Sequence, residues 1–275
     1  MKKIVSLVVA ALVMCSCADS FLSEEPVGEF MPEQVESEEN IEGIVIGAYA
    51  VLDGYYASDA INSGCSNWQF GDVVSDDAYK GGGGTGDQNQ IHLMEIFNAN
   101  PTGIDFEARW AALYEGVKRC NQAIRLLSNS TVKNKEQRLA EMRFLRGHYY
   151  FNLKVIYNLI PWIDETVVDP NEYHTKSNME FTSDQLWEKI LGEFSAAYQV
   201  LPESQSDYGR PTKMAAKAYM AKVYLYQSKW KECLSACDEV IQSGKYTLYP
   251  DFREVFLPEN DNNSEIIFAV QLSIN

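Results

Sequence analysis

Residues 212–243 constrain the fold of this chain more than any other stretch, because they spell out two helices joined by a very short turn. Met220, Ala221 and Tyr224 sit at helical spacing before the turn, and Trp230, Cys233, Cys237 and Val240 do so after it. Large residues occupy the places that interdigitate, while Cys233, like Ala221, is small where two helices must approach closely. The pattern predicts that Tyr224 and Trp230 pack between the two helices. A lone hairpin of this kind cannot bury its apolar face by itself, so the rest of the chain has to supply neighbours that cover it.

The order of residues in this hairpin follows the tetratricopeptide pattern, with Ser228 standing where that pattern usually has a turn glycine. Two looser hairpins precede it. Apolar residues at helical spacing run through residues 38–56 (Ile41, Ile44, Val45, Ala48 and Leu52) and 105–127 (Phe106, Trp110, Leu113, Val117, Ile124 and Leu127). Helices at 135–157, ending before Pro161, and at 183–201, which Ser183 can cap and which carries Leu186, Trp187, Ile190 and Phe194, form the other pair. Both hairpins are interrupted by long irregular insertions. Residues 65–101 are rich in Gly, Asp and Asn, with Gly81 to Gly84 in a row, and residues 161–182 form the second insertion. The predicted fold class is mainly α: an irregular tetratricopeptide-like stack of helical hairpins with long loop insertions and few short strands, the clearest strand-like run being residues 266–272.

The first seventeen residues are of another kind. Lys2 and Lys3 precede an apolar run from Ile4 to Met14, too short to span a bilayer and of the right length for a secretory signal. The run ends at Met14-Cys15-Ser16-Cys17, where a small residue precedes a cysteine. This resembles a bacterial lipoprotein box, and it implies Cys17 as the acylated residue and residues 1–17 as the signal. The 275 residues carry 46% hydrophobic and 12% aromatic side chains, enough for a large core in one or two domains. The formal net charge of -16 disfavours nucleic acid and anionic lipid headgroups, which both require a basic surface. The remaining cysteines, Cys65, Cys120, Cys233 and Cys237, lack the spacing of a zinc site and read as packing residues, so no metal or other cofactor is expected.

Further along, several blocks resemble the N-terminal part of SusD/RagB-type lipoproteins of Bacteroidetes. Asp19-Ser20-Phe21-Leu22 with Pro26 is similar to that family's opening after the lipidated cysteine. The block Ala140-Glu141-Met142-Arg143-Phe144-Leu145-Arg146-Gly147-His148-Tyr149-Tyr150-Phe151 resembles its arginine-containing aromatic helix, followed by the turn at Pro161. Gly209-Arg210-Pro211-Thr212-Lys213, Gly244-Lys245-Tyr246-Thr247-Leu248 and Asn263-Ser264-Glu265-Ile266-Ile267-Phe268 resemble later blocks, in order and at suitable spacing. The resemblance implies a helical domain over 18–243 and, over 244–275, the start of a C-terminal region that is cut short. It also implies a surface-exposed, lipid-anchored outer-membrane protein that captures an oligosaccharide, less often a peptide, and hands it to a SusC-type TonB-dependent transporter. Gly147 departs from the alanine usual there; a helical glycine costs about 1 kcal/mol relative to alanine, which points to a close packing contact.

Candidate ligand residues come from the two insertions. Neutral sugars are held by aromatic faces, with carboxylates and amides bonding the hydroxyls. Trp68, Asp76, Asp77 and Tyr79 offer such groups in the first insertion, and Trp162 in the second. Trp68 reads equally as a loop residue that seals the core, the Asp76-Asp77 pair as turn caps or a calcium site, and Trp162 as a core residue. Trp110, Trp187 and Trp230 read as core. No nucleophile with a base, metal cluster or phosphate loop stands out, so the chain reads as a binding protein and not an enzyme. A peptide-binding repeat adaptor and, last, a glycosidase acting through the acidic loop are the alternatives.

Overall fold

The computed structural model describes residues 38–54, 67–75 and 77–271; the signal-like start, Cys17 and Asp76 lie outside the described residues. Eight α-helices among these residues carry the fold: α1 (Glu38–Tyr49), α2 (Asn89–Glu95), α3 (Ile104–Asn129), α4 (Lys135–Tyr157), α5 (Pro170–Tyr173), α6 (Ser183–Val200), α7 (Lys213–Tyr226) and α8 (Trp230–Gln242). The fold class is mainly α, as expected. The long helices pack in the order α1, α3, α4, α6, α7, α8, each against the next, so the anticipated pairs α1–α3, α4–α6 and α7–α8 all form.

Local chemistry fixes several ends. Thr182, one residue earlier than expected, caps α6: its hydroxyl accepts the Gln185 N–H at 3.3 Å, and the Gln185 side chain accepts the Thr182 N–H at 2.9 Å. Thr212 caps α7 through the Ala215 N–H. α4 stops before Pro161 is reached, because Asn158 takes a positive φ of 62° directly after Tyr157. Ser228 likewise has φ 57° in the α7–α8 turn, the conformation a glycine would take without strain.

The core runs through the stack as one cluster containing Leu113, Val117, Phe144, Tyr149, Phe151, Ile190, Phe194 and Val223. Each large side chain so buried stabilises the fold by roughly 1.5–3 kcal/mol. Gly147 explains itself here, since a Cβ at that position would lie 2.9 Å from the Phe194 ring on α6. Gly116 does the same for α3 and α4, where a Cβ would come within 2.6 Å of the Tyr149 ring.

Three expectations are revised. Trp230 does not pack between α7 and α8 but is 63% exposed, together with Leu234 and Ile241. α8 turns Ala236 and Val240 inward, with Cys233 and Cys237 half-buried, and no described element covers its outer face. The half-buried state of those two thiols is itself short of the buried packing expected for them. No strand forms among the described residues: residues 266–271 run without a partner strand, and a strand needs one to satisfy its backbone.

Candidate functional site

The first insertion is ordered where it meets α3. Residues Trp68–Asp72 form a wide helical turn closed by the Val73 N–H donating to the Trp68 carbonyl at 2.9 Å. Gln69 and Val73 point inward, and the Phe70 ring stands edge-on to Phe106 with the Arg109 guanidinium 5.7 Å from its centroid. Trp68, on this turn, is half-buried.

Beyond it the glycine run closes on a lysine. Lys80 Nζ donates to the carbonyls of Gly81 and Gly84, both at 3.0 Å, while the Asp87 carboxylate accepts the Gly83 N–H at 2.9 Å. Positive φ at Gly81, Gly82 and Gly84 allows the carbonyls to converge on one ammonium. The Lys80 N–H donates to Glu95 on α2; that bond first, and His92 second, hold the Glu95 carboxyl below its usual range. Residues 79 and 96 therefore flank one junction. On it Tyr79 is 79% exposed and Phe97, with φ 55°, is 78% exposed. Asp77 is exposed and accepts the Ser75 hydroxyl at 3.3 Å.

Trp162 departs from the expectation for a ligand residue. Its ring is 7% exposed and stacked on Tyr150 at 4.0 Å and 15°, with Lys189 Nζ 5.1 Å from its centroid, so it serves the core and shows a ligand no open face. Its chain neighbours do the opposite. Pro161 and Ile163, with Tyr173 of α5, lie across α3 and enclose with Trp110 and Tyr114 a cavity of about 320 Å³. The crossing segment is held by Tyr114 donating to the Pro161 carbonyl (2.7 Å) and by Asn121 and Tyr150 donating to the Ile163 carbonyl (3.0 and 2.7 Å).

Behind this segment lies a buried ion network. Arg146, 2% exposed, donates to both carboxylate oxygens of Glu193 (3.2 and 2.8 Å), to Asn121 (2.8 Å) and to Glu165 (2.5 Å). A second network ties α1 to α4 and the residue 201–212 linker, through Arg138 and Arg210 on Glu42 and Glu141. In both networks every charged group is paired with another. Among the described residues no group of three or more His, Cys, Asp or Glu side chains gathers to hold a metal, and no helix is long and apolar enough to cross a membrane.

The sequence model of a family described as SusD-like, starch-binding associating with outer membrane, matches residues 20–225. The chain belongs to the SusD-like family. SusD-like protein P25 of Formosa agariphila is 23% identical, over 98% of this chain and 52% of the relative. A SusD-like protein of Bacteroides ovatus is 24% identical over 98% of this chain and 49% of its own length. This chain thus spans about half the length of the curated relatives it matches. Surface glycan-binding protein A from Bacteroides thetaiotaomicron, solved in complex with laminarihexaose, superposes with a TM-score of 0.71 at 29% identity, over 85% of this chain and 49% of that one. A laminarin-binding SusD-like protein gives 0.73 at 26%, over 85% and 51%.

Within this family frame, Tyr79 and Asp77 stand exposed on the anchored first loop, Trp68 is half-buried and Trp162 is core. Phe97 and Tyr173 carry no mark in the sequence that sets them apart as site residues. Their types are those of core residues, and only the positive φ at Phe97 and the fold-back of α5 reveal where they stand.

Proposed function

We propose that this chain is part of a cell-surface, lipid-anchored glycan-binding protein that captures a neutral oligosaccharide and passes it to a SusC-type TonB-dependent transporter in the outer membrane. The observation that carries the reading is the likeness, at 29% identity and a TM-score of 0.71, to a surface glycan-binding protein solved with a bound laminarihexaose. The exposed aromatic and carboxylate groups of the Lys80-closed loop supply the chemistry such a ligand requires: Tyr79 and Phe97 to stack on sugar rings, Asp77 to accept hydroxyls. Binding, not catalysis, is the role of this loop. Cys17 anchors the protein through its lipid, and the acidic surface, at a formal net charge of -16, selects against anionic ligands.

The test is calorimetry on the full-length protein against a panel of neutral oligosaccharides, laminarihexaose among them, with Tyr79→Ala and Asp77→Ala as variants. Binding that Tyr79→Ala weakens while melting is unchanged supports the loop. Failure of the wild type to bind any glycan of the panel would remove the reading. Membrane fractionation of Cys17→Ala tests the anchor, which requires that this variant be released, and co-purification with a SusC-type transporter tests delivery.

A further inference from the structure

The cavity over α3 serves no purpose that the fold demands. The segment after α4 crosses α3 and leaves about 320 Å³ open, at the small end of the range for ligand pockets. The gap is not slack packing. The crossing segment is fixed to α3 and α4 by the Tyr114, Asn121 and Tyr150 hydrogen bonds, and from behind by the Arg146–Glu165 ion pair at 2.5 Å. A cavity whose walls are pinned by buried polar groups is preorganised, because its shape cannot relax to fill the space.

Its lining divides into two parts. Trp110 and Tyr114, tilted together with centroids 4.8 Å apart, form an aromatic wall, with Pro161 beside them and the half-buried Tyr173 across the opening. At the mouth stand Glu115 and Lys118, whose Oε2 and Nζ are 3.9 Å apart, a loose pair with the Lys118 side chain 54% exposed. The Glu115 Oε1 is occupied by Arg119, but its other oxygen and the Lys118 ammonium have bonding capacity to spare. Aromatic walls with one acceptor and one donor at the rim, of cancelling charge, match an uncharged ring with apolar faces and an equatorial fringe of hydroxyls.

From this the geometry points to a second saccharide site, separate from the Tyr79 loop, that takes one pyranose ring of a neutral oligosaccharide between Trp110–Tyr114 and Tyr173, with Glu115 and Lys118 bonding its hydroxyls. It rests on the glycan-binding reading and adds to it a place on α3. Phe106, which anchors the first loop, and Tyr114 are eight residues apart on that helix, about 12 Å along its axis. The first insertion and the cavity thus both abut α3, so that one polymer can meet both.

The test uses the full-length protein and the same neutral hexasaccharides, comparing wild type, Tyr79→Ala, Tyr173→Ala and Lys118→Ala by calorimetry, with crystals soaked in the tightest-binding glycan. Lys118 is exposed, so its variant folds even if Tyr173→Ala does not. The expected result is a loss of affinity of about two- to tenfold in Tyr173→Ala and Lys118→Ala at unchanged melting temperature, and a sugar ring in the cavity. Wild-type affinity in both variants with a sugar-free cavity overturns this site and leaves the loop reading intact. A wild type that binds no glycan overturns both. Variants that keep glycan affinity but lose the transporter on co-purification overturn it in favour of a protein side chain as the occupant.

Discussion

Removing Glu193 tests the buried ion network that locks α4, α6 and the crossing segment together. Glu193 supplies two of the four hydrogen bonds made by the Arg146 guanidinium, and their side chains are 8% and 2% exposed. Glu193→Ala leaves the Nε and one Nη2 proton without an acceptor in a site water cannot readily reach. The one remaining carboxylate, on Glu165, is 27% exposed and opposes the charge from one side only. Breaking a buried pair by deleting one partner costs about 3–5 kcal/mol, most of it the penalty of the stranded charge. Glu165→Ala should cost less, since water can replace its more exposed carboxylate. The double variant Arg146→Met with Glu193→Leu removes both charges and should fall within about 2 kcal/mol of wild type, because apolar replacements of buried pairs are often near neutral. Urea unfolding followed by far-UV circular dichroism gives these differences from the midpoints at constant slope. If Glu193→Ala loses under 1 kcal/mol, or if the double variant is as damaged as the single, the network is not what holds these elements.

Three further outcomes follow from the same structure. Gly147→Ala should lower stability by about 1–2 kcal/mol in urea unfolding, although alanine is the better helix former, because the Phe194 ring in its way is itself stacked on Tyr219 at 4.9 Å. Ser228→Gly should raise it by about 0.5–1 kcal/mol by relieving the positive φ, the gain trimmed by the greater freedom of glycine when unfolded. His148 accepts or donates one hydrogen bond with Tyr219 at 2.7 Å, and burial first, then Arg109 and Lys222, lowers its pKa to about 3. The unfolded chain therefore takes up that proton before the folded one does. Its stabilising contribution is complete above pH 6.5 and is lost as pH falls toward 3, so between pH 7 and 5 wild type should lose about 1–2 kcal/mol more than His148→Gln. Equal losses in the two proteins would show that the imidazole is solvated in the fold.

The long helices, their pairing and the family are written in the residues themselves, whereas the short α2 and α5 lie inside stretches that read as irregular insertions. A residue at i, i+3 or i+4 lies on the same face whatever surrounds it, and so α3, α4, α7 and α8 were legible from residue type alone. Gly147 was legible too, since a costly residue inside a strong helix announces a close neighbour even when the neighbour, Phe194, is unknown. The candidate site was legible only as a place, the two insertions, and as chemistry, with Tyr79 standing in the open.

Tertiary structure alone decided which of five similar tryptophans are covered. Trp187 and Trp230 share helical core spacing, yet α6 is flanked on both sides, by α4 and α7, while α8 packs chiefly on α7, so Trp187 is buried and Trp230 is 63% exposed. Trp162, in a segment that reads as loop, is buried because that segment folds back and stacks its ring on Tyr150, and the same fold-back brings Tyr173 across Trp110 to make a cavity. Burial is a property of what lies on the far side of a side chain, and periodicity along one helix carries no record of that.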